Sequence, residues 1–277
     1  MALRIASNMA AQGVMKNLNN VSSDSEDALN RLSSGKRITK SADDAAGLAI
    51  GNKIEATVRG LRMAKRNANN GVSLIQVAEG GLGEMSNILI RLRELSVQSA
   101  SDTVGSKERG MLDLEYQELV KESDRIAEST KFSGAPLLNG ENESGTMDFF
   151  VGAYAGEENI IQFEADGTNA RSSELGIEGS SIAEKDDAID NLAQVDEGLD
   201  MIAGMRAKLG SIQSRLQITT RNIDSQVFNQ DSARASIQDA DIAEESAKLA
   251  RNSVLKSAAI ASMAQANNIP KAALNLI

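Results

Sequence analysis

The chain has 277 residues and a formal net charge of −10, with no His, no Cys, no Trp, two Pro and 3% aromatic residues. Without Cys there are no disulfides, thiol nucleophiles or thiolate metal sites, and without His there is no H-E-x-x-H zinc-protease pattern. The apolar content is mostly Ala, Leu, Ile, Val and Met, which together with Glu, Gln, Lys and Arg favours long helices over a compact sandwich.

The N-terminal stretch MALRIASNMAAQGVMKN has no apolar run long enough for a signal-peptide core, so any export is expected to proceed without a cleaved signal of that kind. Residues 1–33 then read as a helix carrying Ala11, Val14, Met15, Leu18, Val21, Ala28, Leu29 and Leu32. The pattern stops at Ser34-Gly35-Lys36-Arg37-Ile38-Thr39-Lys40-Ser41, a short basic strap. Gly35 suits the left-handed position that closes a helix. Ser41, three residues before Asp44, reads as an N-cap for the next helix, and Asp43 and Asp44 complement its dipole.

A heptad pattern follows. Ile54, Leu61, Ala68, Ile75, Leu82 and Leu89 recur every seven residues, and Ile50, Thr57, Ala64, Gly71, Ala78, Met85 and Leu92 form the companion seam. Gly80, Gly81 and Gly83 interrupt helix propensity within this run, a weak point where a bend is expected. No strand precedes them and no Gly-Lys-Ser/Thr follows, so they are not a phosphate loop. Residues 106–130 carry Leu112, Leu119 and Ile126 at the same spacing, a third and shorter helix.

Phe132-Ser133-Gly134-Ala135-Pro136 and Asn139-Gly140 break the helical pattern. The segments Met147–Gly152 and Asn159–Glu164 then read as a β-hairpin. Five of the seven aromatic residues lie between Phe132 and Phe163. From Glu141 to Asp200 there are 16 acidic and two basic residues, a net of −14, expected as solvated outer surface. Residues 1–40 carry a net of only +3. So small a basic excess, with no aromatic platforms beside it, argues against a nucleic-acid partner.

The second long heptad run is Ala188, Val195, Ile202, Leu209, Leu216 and Ile223. Leu192, Leu199 and Val227 lie in its other seam, where Arg206, Gln213 and Thr220 are polar interruptions. Two helices of about 50 residues, roughly 75 Å long, are expected to pair along these seams. Periodicity alone leaves their relative direction open. A break matching the strap is expected at Gln238–Asp241. The last helix carries Ile242, Leu249, Ile260 and Met263 on one side and Ala243, Ala247, Ala250, Val254, Ala258 and Ala261 on another. Two apolar faces on one helix imply contact on two sides.

Five stretches, LSSGKRITKSADDAAGLAI, NANNGVSLIQVAEGGL, LRELSVQSASDT, SIQDADIAEE and MAQANNIP, occur in an order that resembles bacterial flagellin, over about residues 1–140 and 183–277. The resemblance implies a mainly α fold: a long antiparallel helical coiled coil, a small β-hairpin region and paired terminal helices. It implies an inner terminal domain from residues 1–42 and 240–277 and a core domain from 43–239, with long helices at 43–100 and 183–237, a short helix at 106–130 and a hairpin region at 132–181. The expected function is a structural subunit polymerising into the flagellar filament for swimming, with a hook–filament junction protein as the alternative. The short middle segment makes this resemble a minimal flagellin.

The resemblance also implies partners: copies of the chain itself, sister flagellins, an export chaperone, hook-associated and cap proteins, and a host Toll-like receptor. The family's receptor pattern falls here on Arg91, Arg93, Glu94, Leu95 and Gln98, with Glu115 on the neighbouring helix. Their primary role is expected to be subunit packing. Inner helix packing is assigned to Leu18, Val21, Leu29, Leu32, Ile242, Leu249, Ile260 and Met263. The expected location is the extracellular filament. No enzyme activity, cofactor or membrane insertion is expected. Asp43 and Asp44 are adjacent, whereas a catalytic carboxylate pair faces across a substrate. Ser144, Thr146, Thr168, Ser172 and Ser180 stand as candidate glycosylation positions.

Overall fold

The computed structural model describes residues 8–141, 145–164 and 166–274. Five helices dominate: α1 (Met9–Ser34), α2 (Ala45–Ser99), α3 (Ser106–Ser129), α4 (Lys185–Gln238) and α5 (Ile242–Leu274). Two small antiparallel sheets accompany them. One pairs β1 (Lys131–Phe132) with β2 (Ala135–Pro136), and the other pairs β3 (Thr146–Phe150) with β4 (Ile160–Glu164). The chain divides into two compact units, residues 1–56 with 229–277, and residues 57–228.

In the unit of residues 57–228, α2 and α4 run antiparallel. Lys65 pairs with Asp224 at 2.6 Å and Arg93 with Asp196 at 2.6 Å, so positions advancing on one helix recede on the other. The heptad seams are the contact. Leu61, Ala68, Ile75, Leu82 and Leu89 are buried, as are Val195, Ile202, Leu209, Leu216 and Ile223. The helix α2 runs unbroken through Gly80, Gly81 and Gly83, and the middle one of these glycines is a packing position. A Cβ on Gly81 would meet Leu138 Cδ1 at 2.7 Å and Thr130 Oγ1 at 2.8 Å. This glycine lets the segment after α3 lie directly on α2.

That segment turns sharply at Ser133 and Gly134, with φ of 52° and 89°. Two central residues with positive φ make the tight hairpin turn that matches strand twist. It joins β1 to β2, a short sheet that the sequence offers only as a break. The hairpin β3–β4 places Met147, Phe149, Ile161 and Phe163 against the helices, with Phe163 fully buried.

The acidic middle of the chain is not wholly surface. Ala170, Leu175, Ile177 and Ile182 are buried in the same core as the long helices. Asp124 Oδ1 accepts from the Ser172 backbone N–H at 2.7 Å and Asp113 Oδ1 from that of Ile182 at 2.8 Å, tying this segment to α3. Thr168 and Ser172 are buried, which removes both as glycosylation positions, while Ser180 is half-buried and its hydroxyl donates to the Ile177 carbonyl. Thr146 is exposed, and Ser144 lies outside the described residues.

In the other unit α1 ends on Gly35, which adopts the left-handed conformation with φ 68° and ψ 9°. The strap after it is stitched to the break between α4 and α5. The Arg37 N–H donates to the Gln238 carbonyl at 2.7 Å, and the Ala240 N–H donates to the Gly35 carbonyl at 3.0 Å. The cap of α2 differs from the sequence expectation. Asp44, not Ser41, is the N-cap: its Oδ1 accepts from the Gly47 N–H at 2.9 Å. Asp43 Oδ2 instead accepts from the N–H groups of Thr39 and Lys40, shaping the strap itself. These backbone donors hold the Asp43 carboxyl below its ordinary pKa.

Candidate assembly surface

The residues singled out on α2 lie where α3 and α4 flank it. Arg91 reaches α3: its Nη2 donates to Glu115 Oε1 at 2.7 Å and its Nη1 to Glu94 Oε2 at 2.9 Å. Arg93 reaches the other way, its Nε donating to Asp196 Oδ1 on α4 at 2.6 Å. Hydrogen bonds to Glu115 and Glu94 raise the Arg91 pKa, and the bond to Asp196 raises that of Arg93. Both guanidinium groups are thus fixed in direction on an exposed surface, with Gln98 exposed beside them.

Leu95 is a correction. It is fully buried in its own chain, so it offers nothing to a neighbouring copy. The reason is α3. Leu95 lies outside the seam facing α4, but a third helix covers a second face of α2 and takes that position into the core. The apolar residues this surface does present are Ile90 and Val97, which line a shallow groove with Arg93, Glu94 and Gln98. Sequence reasoning passed over them, although their spacing of seven residues marks a stripe outside both seams.

Tyr116 anchors the far side of α3. Its hydroxyl donates to Asn191 Oδ1 at 3.0 Å and lies 2.9 Å from Ser180 Oγ. Burial raises its pKa, while both hydrogen bonds pull the other way.

The terminal helices α1 and α5 run antiparallel. Asn8 Nδ2 donates to the Ala266 carbonyl at 2.9 Å near one end, and Arg31 pairs with Glu245 at 3.6 Å near the other. On α1 the shielded positions include Ala11, Val14, Leu18, Val21, Ser25, Ala28 and Leu32. On α5 they include Glu245, Leu249, Asn252, Ala259, Met263 and Ala266. Leu18, Val21, Leu32, Leu249 and Met263 therefore sit in the pairing seam. Leu29, Ile242 and Ile260 do not: they are 56%, 54% and 54% exposed. Leu29 and Ile260 each fall one step past a shielded alanine, Ala28 and Ala259, whereas Ile242 keeps the register of Leu249 but is the first residue of α5. The opposite face of α5, from Ala243 through Ala247, Ala250, Val254 and Ala258 to Ala261, is exposed along its whole length.

Two long antiparallel helices, a small sheet beside them and terminal helices with one covered and one bare face describe an assembly module more than a reaction site. Comparison with known proteins agrees. The bacterial flagellin N-terminal helical region matches residues 5–143, and the bacterial flagellin C-terminal helical region matches residues 192–277. The chain belongs to the bacterial flagellins. It is 36% identical to the flagellin of Halalkalibacterium halodurans over 270 residues, covering 98% of each chain. It is 37% identical to the flagellar filament 31.3 kDa core protein of Treponema maltophilum, covering 90% of this chain and 91% of that one. The Bacillus cereus flagellin crystal structure matches 61% of this chain and 94% of its own, at 26% identity and a TM-score of 0.51. A putative flagellar hook-associated protein from Vibrio parahaemolyticus matches 71% of this chain at 12% identity and a TM-score of 0.58, which speaks to fold alone. Among the described residues, no helix is long and apolar enough to cross a membrane.

Proposed function

We propose that this flagellin is exported through the flagellar secretion apparatus and polymerises outside the cell into the filament that drives swimming. The role of filament subunit follows from the family. The observation that best supports polymerisation is the two-faced helix α5. Its seam faces α1 while Val254, Ile260 and the alanine row face solvent. Alanine rows permit close backbone approach, and a bare apolar face of this length is a contact awaiting a neighbour. Residues 1–42 and 240–277 would then form the inner part of the filament, and 43–239 the outer part.

The surface of Arg91, Arg93, Glu94 and Gln98, with Ile90, Val97 and Glu115, is read as a subunit contact. The same surface would be open to a host Toll-like receptor on a free monomer. An export chaperone, hook-associated and cap proteins, and sister flagellins complete the partner set by family resemblance. Sedimentation and electron microscopy of the purified chain test the central reading. Long filaments support a filament subunit. Short, non-propagating rings or persistent monomers would favour the hook–filament junction reading.

A further inference from the structure

The charges of the unit formed by residues 57–228 are segregated along the helical pair. Residues 57–78 of α2 and 206–228 of α4 lie alongside one another and carry eight basic residues against a single acid, Asp224. Even with the four acids of the β3–β4 hairpin added, that half has a net charge of +3. The other half, residues 79–145 and 165–205, has nine basic and 23 acidic residues, a net of −14.

Basic residues stand on both helices of the pair, but two exposed patches of opposite sign stand on different helices. The outward face of α2 near one end carries Arg59, Arg62 and Arg66, all exposed, with exposed Met63 among them. The outward face of α4 near the other end carries Asp190, Glu197 and Asp200, all exposed, with exposed Ile189 beside them. Arg93 pairs with Asp196, which sets the level of the acidic patch on α2. Arg62 lies 31 residues before Arg93 on the same helix, so the patches are displaced along the pair by roughly 45 Å at 1.5 Å per residue.

An open helical polymer needs heterologous contacts, in which the surface given differs from the surface received. Two patches of opposite charge, on opposite members of a helix pair and offset along it, meet that requirement. A second copy in register would set like charge beside like charge. A copy displaced by the offset would set basic against acidic. We propose that the Arg59–Arg62–Arg66 patch of one subunit docks against the Asp190–Glu197–Asp200 patch of a second copy, and that this pairing selects a staggered lateral contact. The inference rests on the filament reading. It adds which faces meet and with what displacement.

Two charge-reversal variants test it. One carries Arg59→Glu, Arg62→Glu and Arg66→Glu; the other carries Asp190→Lys, Glu197→Lys and Asp200→Lys. Each is checked for native helicity by circular dichroism, and the critical concentration for polymerisation is measured beside that of the wild type. Each variant alone should raise the critical concentration at least about tenfold, because each meets itself with like charges on both patches. An equimolar mixture should polymerise near the wild-type value, since every contact is then complementary again. General repulsion between subunits predicts otherwise for the second variant, whose net charge falls in magnitude from −10 and which should then polymerise more readily. Easier polymerisation of that variant, or no recovery in the mixture, overturns the proposal. Failure of the wild type itself to polymerise would instead strike the filament reading.

Discussion

At the residue scale, the hydroxyl of Tyr116 has a measurable role. It is fully buried and supplies the donor for Asn191 Oδ1. Ser180 keeps its own bond to the Ile177 carbonyl if that hydroxyl is removed. Tyr116→Phe therefore leaves one buried acceptor unpaired, which costs about 1–3 kcal/mol. Chemical unfolding should show the loss with little change in the denaturant slope. Asp43 offers a pH test of the strap. Its folded pKa is depressed by the N–H groups of Lys40 and Thr39. A depressed carboxyl contributes stability above its unfolded pKa, and that contribution is lost as pH falls through the folded value. Amide exchange at Thr39 and Lys40 should accelerate only below about pH 4, the ordinary carboxylate range. In Asp43→Asn the same amides should exchange faster at neutral pH, with that acid-dependent step gone.

Glycines separate propensity from packing at the scale of the element. Gly80 and Gly83 have open space where a Cβ would stand, whereas Gly81 has Leu138 and Thr130 within 3 Å. Gly80→Ala and Gly83→Ala should each stabilise by up to about 1 kcal/mol through helix propensity. Gly81→Ala should destabilise despite the same gain, because the chain after α3 must move away. Thermal melts of the three variants give the order. This is also where the limits of reading the sequence are clearest. Heptads predict both long helices because their seams bury one residue in every three or four. Gly35 predicts the end of α1 because only the left-handed conformation closes it there. Leu95 was unreadable, since its burial depends on a third helix covering a second face. The buried Leu175, Ile177 and Ile182 were hidden too: they stand singly among acids, without period, so charge counting reads the whole segment as surface. The misplacement of Leu29, Ile242 and Ile260 has a similar origin. Hydrophobicity marks a residue for burial but does not say whether its own chain or another copy covers it.

For the whole molecule, the acidic middle of the chain bears on the filament exterior. Glu157, Glu158, Glu174 and Glu178 are exposed, while Ile161, Phe163, Ala170, Leu175 and Ile177 are buried. Carbodiimide labelling of intact filaments should modify these four carboxylates as fast as in monomers. Protection of all four would place the segment between subunits instead.

The terminal helices carry the central claim, that this chain is completed by copies of itself. Their mutual seam is thin. Ser25, Glu245 and Asn252 interrupt it, and among the described residues only Ala28 and Ala266 of its apolar positions are buried. Ordering the backbone costs about 1–2 kcal/mol per residue, and isolated helices in water are marginal. One such seam does not offset that cost over 50 or so residues; neighbours on the bare faces supply the remainder. Amide hydrogen exchange, compared between free monomer and assembled filament, tests this most directly. The amides of Leu18, Leu29, Leu249 and Ile260 should exchange rapidly in the monomer and be strongly protected in the filament, while Leu82 and Leu209 are protected in both. Strong protection of the four terminal amides in the free monomer would contradict the account.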